Sequence, residues 1–491
     1  MKKVQSEPPK PFRAEILFLL IFGTALLLRL LHNSYMMKNP LYDVPLGGHL
    51  PYLILAEKIA SGDILPINAP FSLNSPLFPY ILGIEYRIFG VGQFLFVRLI
   101  GILLDCATCV IIAALGKRHF GLIGGLFSGL LAALYGPMIF YAAELTAVPY
   151  TLFFVTMSVL LLDRNGKNAG HLLAGLLLGL AIGTRPNLII LALLMLSTPV
   201  LFRRKRAFTK SMLMGLGILL MILPITMANY IISGKWVLLT TSGGHNFYLG
   251  HRTHSKAGYT LPQSLDGDIF TNMKRLAEEA EGRRFEDHDV SSYYVKKALT
   301  HIRNNPLWEL KITFKKLMAA LNHHEATNYV NYYFQKDISP VLKYSIGFGI
   351  LFPLALLGWV FHPKKWILFF PIVASLLSII LFFHIARMRM PMIPFLAVFA
   401  GGGVRMLFST IKTSRYSTLA LCAVILAGAS IFSNWTLGRA DTSNEWNKVG
   451  VVLRVKKRYE ESERAFKRAL EENPSNPNSY LNLAVLYDAT G

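Results

Sequence analysis

Apolar runs of membrane-spanning length recur along this 491-residue chain from Ile16 to Phe432. A spanning helix needs about 20 apolar residues to cross a bilayer core. The expected spans are 15–32, 97–115, 120–141, 146–163, 170–184, 187–202, 211–232, 342–361, 366–384, 391–408 and 417–433. The fold class this implies is an all-α polytopic membrane protein with about eleven transmembrane helices. Lys2, Lys3, Lys10 and Arg13 precede the first run and no small-x-small cleavage site follows it, so it reads as a retained span rather than a signal peptide.

Composition agrees. The chain is 53% hydrophobic and only 16% charged, a pairing that a soluble globular protein rarely shows. A net charge of +22 would suit nucleic acid, but the basic residues mark loop ends instead of one face of a domain. No nucleic-acid partner is expected; attraction to membrane lipid headgroups accounts for the charge. Cys106 and Cys109 form a CxxC inside an apolar span, where small packing residues are expected rather than redox or zinc chemistry.

Alternate loops carry Lys117–Arg118, Arg164–Lys167, Arg203–Arg206, Lys364–Lys365 and Lys412–Arg415, all on the side of the basic N-terminus. Basic loops stay in the cytoplasm, so residues 1–14 are placed there. The membrane domain is then 15–433, with outer loops 33–96 and 233–341, in a bacterial inner (plasma) membrane. Residues 51–60 place Tyr52, Leu55, Ala56 and Ile59 on one face of a short helix ended by Gly62. Prolines 70, 76 and 79 precede a further apolar helix. Asn305-Pro306 starts a second amphipathic helix with Leu307, Leu310, Phe314, Leu317 and Leu321 as its stripe. Both amphipathic helices are expected to lie in the outer membrane interface.

Beyond residue 440 the pattern changes. Trp446, Val449, Gly450, Leu453, Tyr459, Ser462, Phe466, Ala469 and Pro474 fit a tetratricopeptide unit in register, and a second begins at Tyr480, Leu483, Ala484 and Tyr487. The segment 441–491 is expected to be a short extracytoplasmic tetratricopeptide tail. Too short to bury its own core, it must pack on the membrane domain, on another copy, or continue. Such repeats bind protein partners.

No P-loop, GxSxG, HExxH or GxGxxG is present. Gly401–Gly403 reads as a close helix contact, and His323-His324-Glu325 as a solvated loop. The remaining candidates are charges at the outer ends of spans: Asp43, Glu144, Arg185, Arg387 and Arg389. Charges there are costly and mark function. Two acids and three arginines suit a phosphorylated lipid substrate and a nucleophile that needs a base.

These residues resemble the GT-C superfamily of polytopic glycosyltransferases, in the branch of protein O-mannosyltransferases and the lipid A aminoarabinose transferase. An acid follows the first span (Asp43). Ala56–Gly62 with Ser75–Tyr80 looks like the branch's "A..IA.G…PLYPY", and Gly179–Asn187 like its "GLA..TRPN". Gly243–Gly250 is similar to "GG.NFY.G", and Arg387–Pro391 to "R.R.P". Val44 replaces the second acid that many members carry, and Gly47-Gly48-His49 follows.

The resemblance implies transfer of a sugar from a polyprenyl-phosphate carrier to a hydroxyl of a protein, lipid or glycan outside the cytoplasm, with inversion. Asp43 would be the base. Arg387, Arg389 and Arg185 would bind the donor phosphate, and Glu144, His49, Asn246 and Tyr248 would serve the acceptor or assist. The resemblance fixes no cofactor; a divalent cation is possible, and Glu144 could help to hold it. Three alternatives stand beside this reading. An O-antigen ligase or polymerase would work from His251, Arg252 and His254. A polytopic transporter would carry charges or broken helices at mid-membrane. A non-catalytic scaffold would rest on the tail alone.

Overall fold

A computed structural model describes residues 14–44, 47–65, 71–164, 168–198, 205–253, 255, 257–259, 269–326, 331–435 and 440–490. The N-terminal lysines and Arg13, Pro70, Lys167, Arg203, Arg204 and His254 lie outside the described residues. Among the described residues regular structure is helical throughout, apart from two isolated bridges, Tyr135 to Ile346 and Gly258 to His384.

A helix falls in every stretch expected to span. Ala14–Met36, Phe94–Leu134, Phe208–Ser233, Ala386–Lys412 and Tyr416–Ser433 are long and apolar enough to cross a membrane. Val148–Asp163, Asn168–Thr184, Pro186–Leu196, Phe348–Phe361 and Trp366–Leu381 are shorter and apolar. The second and third expected spans run together. Helix continues through the basic pair Lys117–Arg118 and turns only at Gly121, whose φ of 70° lies in the left-handed region open to glycine.

Glycines set the central packing. Ile393–Lys412 crosses both Phe94–Leu134 and Phe348–Phe361. A Cβ on Gly401 would strike Gly124 O, and one on Gly358 would strike Phe399 O. Gly401–Gly403 is thus a backbone-to-backbone contact, as expected, and it fixes the position of the segment just before it, which carries Arg387 and Arg389.

One charged pair was not anticipated. Arg29, in the first helix, forms a fully buried ion pair with Asp105 in the long helix at 2.5 Å and donates to Ala133 O at 3.0 Å. Its Nη2 also meets Cys109 Sγ at 3.5 Å, so the buried cysteines pack against this pair. Polar groups are therefore not confined to span ends. Stripping one partner from such a pair costs about 3–5 kcal/mol, so it pins the first helix to the bundle.

Leu50–Ala60 and Phe78–Phe89 pack together through Leu53, Ala56, Phe78, Leu82 and Tyr86. Pro306–Ala320 leaves Leu307 83% and Phe314 59% exposed, while Ile312, Lys316 and Ala319 turn inward. The first half of its apolar stripe therefore faces away from the protein, as an interfacial helix requires. The reading of His323–Glu325 as a solvated loop is corrected: Glu325 is buried and pairs with Arg389.

After residue 440 three helices follow: Ser443–Val455, Tyr459–Glu472 and Pro477–Thr490. The first two pack through Val449, Leu453, Ala465 and Phe466, with the Phe466 ring lying over Gly450. Ser462 Oγ donates to Gly450 O at 2.7 Å. The expected unit thus forms a helical hairpin. It docks on the membrane domain: Trp446 meets the Phe334 ring edge-on at 5.2 Å, and Asn331 Nδ2 donates to Asp441 O at 2.9 Å.

Candidate active site

Asp43 lies in a turn that leaves the first helix, and its side chain is exposed. The turn is held by Arg98. Nη2 of Arg98 donates to Tyr42 O at 2.6 Å, Nε donates to Ala143 O at 3.0 Å, and the guanidinium stacks 3.8 Å from the Tyr42 ring. Arg98 thereby ties the Asp43 turn to the loop that carries Glu144. It was hidden from the sequence reading inside the apolar run 97–115; a lone arginine at the mouth of such a run was the available signal.

A cavity of about 70 Å³ opens between these segments. Tyr42, Val44, His49, Arg98, Glu144 and Gln335 line it. Asp43 itself is not among its lining residues, although its neighbours Tyr42 and Val44 are, and its side chain is exposed. Gln335 Nε2 donates to Glu144 Oε1 at 2.5 Å. Burial raises the Glu144 pKa, and Arg98 and the Gln335 bond only partly oppose it. Among the described residues buried Nη1 of Arg98 has no hydrogen-bond partner. Such a donor can be satisfied by a hydroxyl oxygen.

A second cavity, of about 110 Å³, is lined by Arg185, Arg387, Asn74, Ser242 and Asn246, with Phe382 and Phe383 as apolar wall. Arg185 follows the helix Asn168–Thr184, where Pro186 prevents its continuation. Its Nη1 donates to Arg387 O at 2.6 Å. Burial and the Arg387 charge hold the Arg185 pKa down to about 9. Two guanidinium groups lining one cavity favour an anion between them. Asn74 Oδ1 accepts from both Ser242 Oγ at 2.9 Å and Asn246 Nδ2 at 2.8 Å, which orients the polar wall.

His49 relates the two cavities. It lines the first, and burial together with the charges of Arg387 and Arg98 pushes its pKa down to about 4. Arg387, from the cationic cavity, is thus within electrostatic reach of the cavity that holds Glu144.

Two expected site residues lie elsewhere. Arg389 turns into the core, pairs with Glu325 at 2.5 Å, and donates to Ala320 O and Asn322 O. With Arg387 and Arg389 only two residues apart in a helical turn, they point in different directions. Tyr248 packs on Tyr294 at 4.9 Å and under Lys297, outside both cavities. His251, needed by the ligase reading, is buried, paired with Glu309 at 2.7 Å and bonded to Leu381 O. Among the described residues one metal-like group occurs, Glu286, His288 and Asp289, apart from these cavities.

The fold is that of a polytopic membrane protein with two polar cavities, one lined by Arg185 and Arg387 and the other by Arg98 and Glu144. Residues 73–231 match the family described as dolichyl-phosphate-mannose-protein mannosyltransferase. The matched stretch contains Asn74, Arg98, Glu144 and Arg185. No curated protein matches. Two solved structures are similar: ArnT from Cupriavidus metallidurans bound to undecaprenyl phosphate, at 15% identity and a TM-score of 0.38, over 81% of this chain and 79% of that one. The other is the archaeal oligosaccharyltransferase AglB from Archaeoglobus fulgidus, in complex with an inhibitory peptide and a dolichol-phosphate. It has 13% identity and a TM-score of 0.43, over 91% of this chain and 59% of that one. At scores this low neither likeness carries a residue-by-residue correspondence.

Proposed function

We propose that this protein is a glycosyltransferase that takes a sugar from a polyprenyl-phosphate carrier and passes it to a hydroxyl acceptor at the extracytoplasmic face, inverting the anomeric centre. The observation that carries the reading is the pairing of Arg185 and Arg387 in one cavity, with a second cavity that contains Glu144 and is lined by Tyr42 and Val44 on either side of Asp43. The acceptor oxygen attacks the anomeric carbon while the bond from that carbon to the phosphate oxygen breaks. The electron pair leaves with the phosphate, and the acceptor proton passes to Asp43. A phosphate leaves readily when its charge is stabilised, so the two guanidinium groups supply what a general acid otherwise would.

The two carboxyl groups differ in setting. Burial favours the protonated form of Glu144, which suits it to orient the acceptor hydroxyl beside Arg98 and Gln335. Asp43, exposed between two residues that line the cavity, is the proposed base. Environments that separate two carboxyl groups in this way commonly separate their roles. Arg389 takes a positioning role: its pair with Glu325 sets the turn on which Arg387 sits. Asn246 is assigned to the wall of the donor cavity. The domain limits 15–433 and 441–491, the tetratricopeptide character of the tail and the outward orientation belong to the same reading, supported by the basic loops and the docked helical hairpin.

The test is to incubate purified protein with a panel of radiolabelled polyprenyl-phosphate sugars and cell-envelope fractions. The expected result is donor-dependent transfer of label to a hydroxyl-bearing product. Transport of an intact solute without bond cleavage, or transfer from a nucleotide sugar alone, would refute the proposal.

A further inference from the structure

The hydroxyl-binding cavity is not built by the membrane domain alone. Glu445 and Lys448, on the first helix after residue 440, line it together with Arg98, Glu144 and Gln335. We propose that these two tail residues contact the acceptor and set acceptor choice, so that the tail and the membrane domain form one composite acceptor site. This rests on the glycosyl-transfer reading above and deepens it.

The seat of the tail helix is specific. Asn331 Nδ2 reaches Glu445 Oε2 at 3.3 Å as well as Asp441 O, and Asn331 Oδ1 caps the following helix through the N–H groups of Tyr333 and Phe334. That same helix delivers Gln335 to the cavity and Phe334 to Trp446. The tail and the Glu144 wall are therefore registered through one short element, Tyr332–Ile338. Lys448 Nζ lies 3.3 Å from Glu445 Oε1, which holds both side chains at the cavity.

The chemistry of the wall follows. Arg98, 5% exposed, leaves a buried donor unpartnered among the described residues. A volume of about 70 Å³ holds a few water-sized groups. That suits a hydroxyl on a small side chain better than a whole sugar ring. Beyond this pocket the tail contributes polar residues: Asn447 accepts from Asn482 at 3.1 Å, and both are half-buried. Glu445 and Lys448 give the pocket a charged wall beside the apolar Leu41, Leu145 and Phe334, and a peptide acceptor offers groups for both kinds of surface. Lys448 then favours acidic groups beside the acceptor hydroxyl.

The experiment uses the full chain in nanodiscs, the polyprenyl-phosphate sugar consumed by the wild type, and two pools of serine/threonine peptides that differ only in acidic or basic flanks. Wild type is expected to prefer acidic flanks. Lys448→Glu should shift the acidic-to-basic ratio about tenfold, the worth of one charge-assisted contact. Lys448→Ala should raise the KM of the acidic pool with kcat within about twofold of wild type. Protease protection of residues 440–490 shows whether the tail stays seated, and Lys448→Ala decides the matter if charge reversal unseats it. An unchanged ratio and KM in seated variants would overturn the proposal while leaving glycosyl transfer intact. Label entering only lipid or glycan fractions, indifferent to Lys448, would also overturn it. A wild type that consumes no polyprenyl-phosphate sugar would refute the transfer reading itself, and this inference with it.

Discussion

Arg185 and Arg387 are bound to each other as well as to the cavity they share, so their loss should not be independent. Arg387→Ala removes one guanidinium from the proposed phosphate site. A hydrogen bond to a charged group contributes about 1.5–3 kcal/mol, or about 10- to 100-fold in donor kcat/KM. Arg185→Ala removes a second such group and also the 2.6 Å bond that holds Arg387 O. The Arg387 side chain then loses part of its aim, so each single variant damages the contribution of the other. The double variant should lose less than the product of the two single losses, by about tenfold; contacting residues couple by roughly 0.5–3 kcal/mol. The assay is a double-mutant cycle on donor kcat/KM at saturating acceptor. Effects that multiply within a factor of two would refute the coupling. A defect confined to acceptor KM would refute the phosphate assignment.

Glu325→Gln should strand Arg389, which is 1% exposed, and lower stability by about 3–5 kcal/mol, read as an early melting transition in a thermal scan; wild-type melting would show the pair to be dispensable. The fold holds His49 neutral, with its pKa lowered from 6.5 to about 4. The stability it contributes is complete above pH 6.5 and is lost as pH falls from there toward 4, so His49→Gln should flatten the acid limb of a stability-pH profile; an unchanged limb would place the histidine in open solvent. Gly450→Val should drive a side chain into the Phe466 ring and open the tail hairpin, seen as faster proteolysis of 440–490 with the membrane domain intact; wild-type protection would argue against that packing.

The fold was legible because apolar length is a strong signal. Every expected span carries a helix, and Pro306 and Gly62 marked real helix ends. The break at Gly121 was misplaced because basic residues draw a reader to Lys117–Arg118, whereas the backbone turns where a positive φ is cheapest. Arg185, Arg387 and Asn246 were found by motif, and all three line one cavity. Arg389 shared the motif but not the direction, because a partner 64 residues earlier, Glu325, claims it; no local pattern reveals a pair at that separation. The Arg29–Asp105 pair escaped notice for the same reason: each charge sits alone in its own apolar run. Arg98, Gln335 and the tail residues joined the acceptor cavity only through long-range packing, which sequence spacing does not encode.

The most direct test of the central claim is a single-turnover measurement with prebound polyprenyl-phosphate sugar and saturating acceptor, comparing wild type, Asp43→Asn and Glu144→Gln. Loss of a general base slows the chemical step by about 10²–10⁴-fold. Asp43→Asn should show that loss with donor affinity unchanged, and Glu144→Gln a smaller one expressed mainly in acceptor KM. Turnover near the wild-type rate in Asp43→Asn would contradict the account.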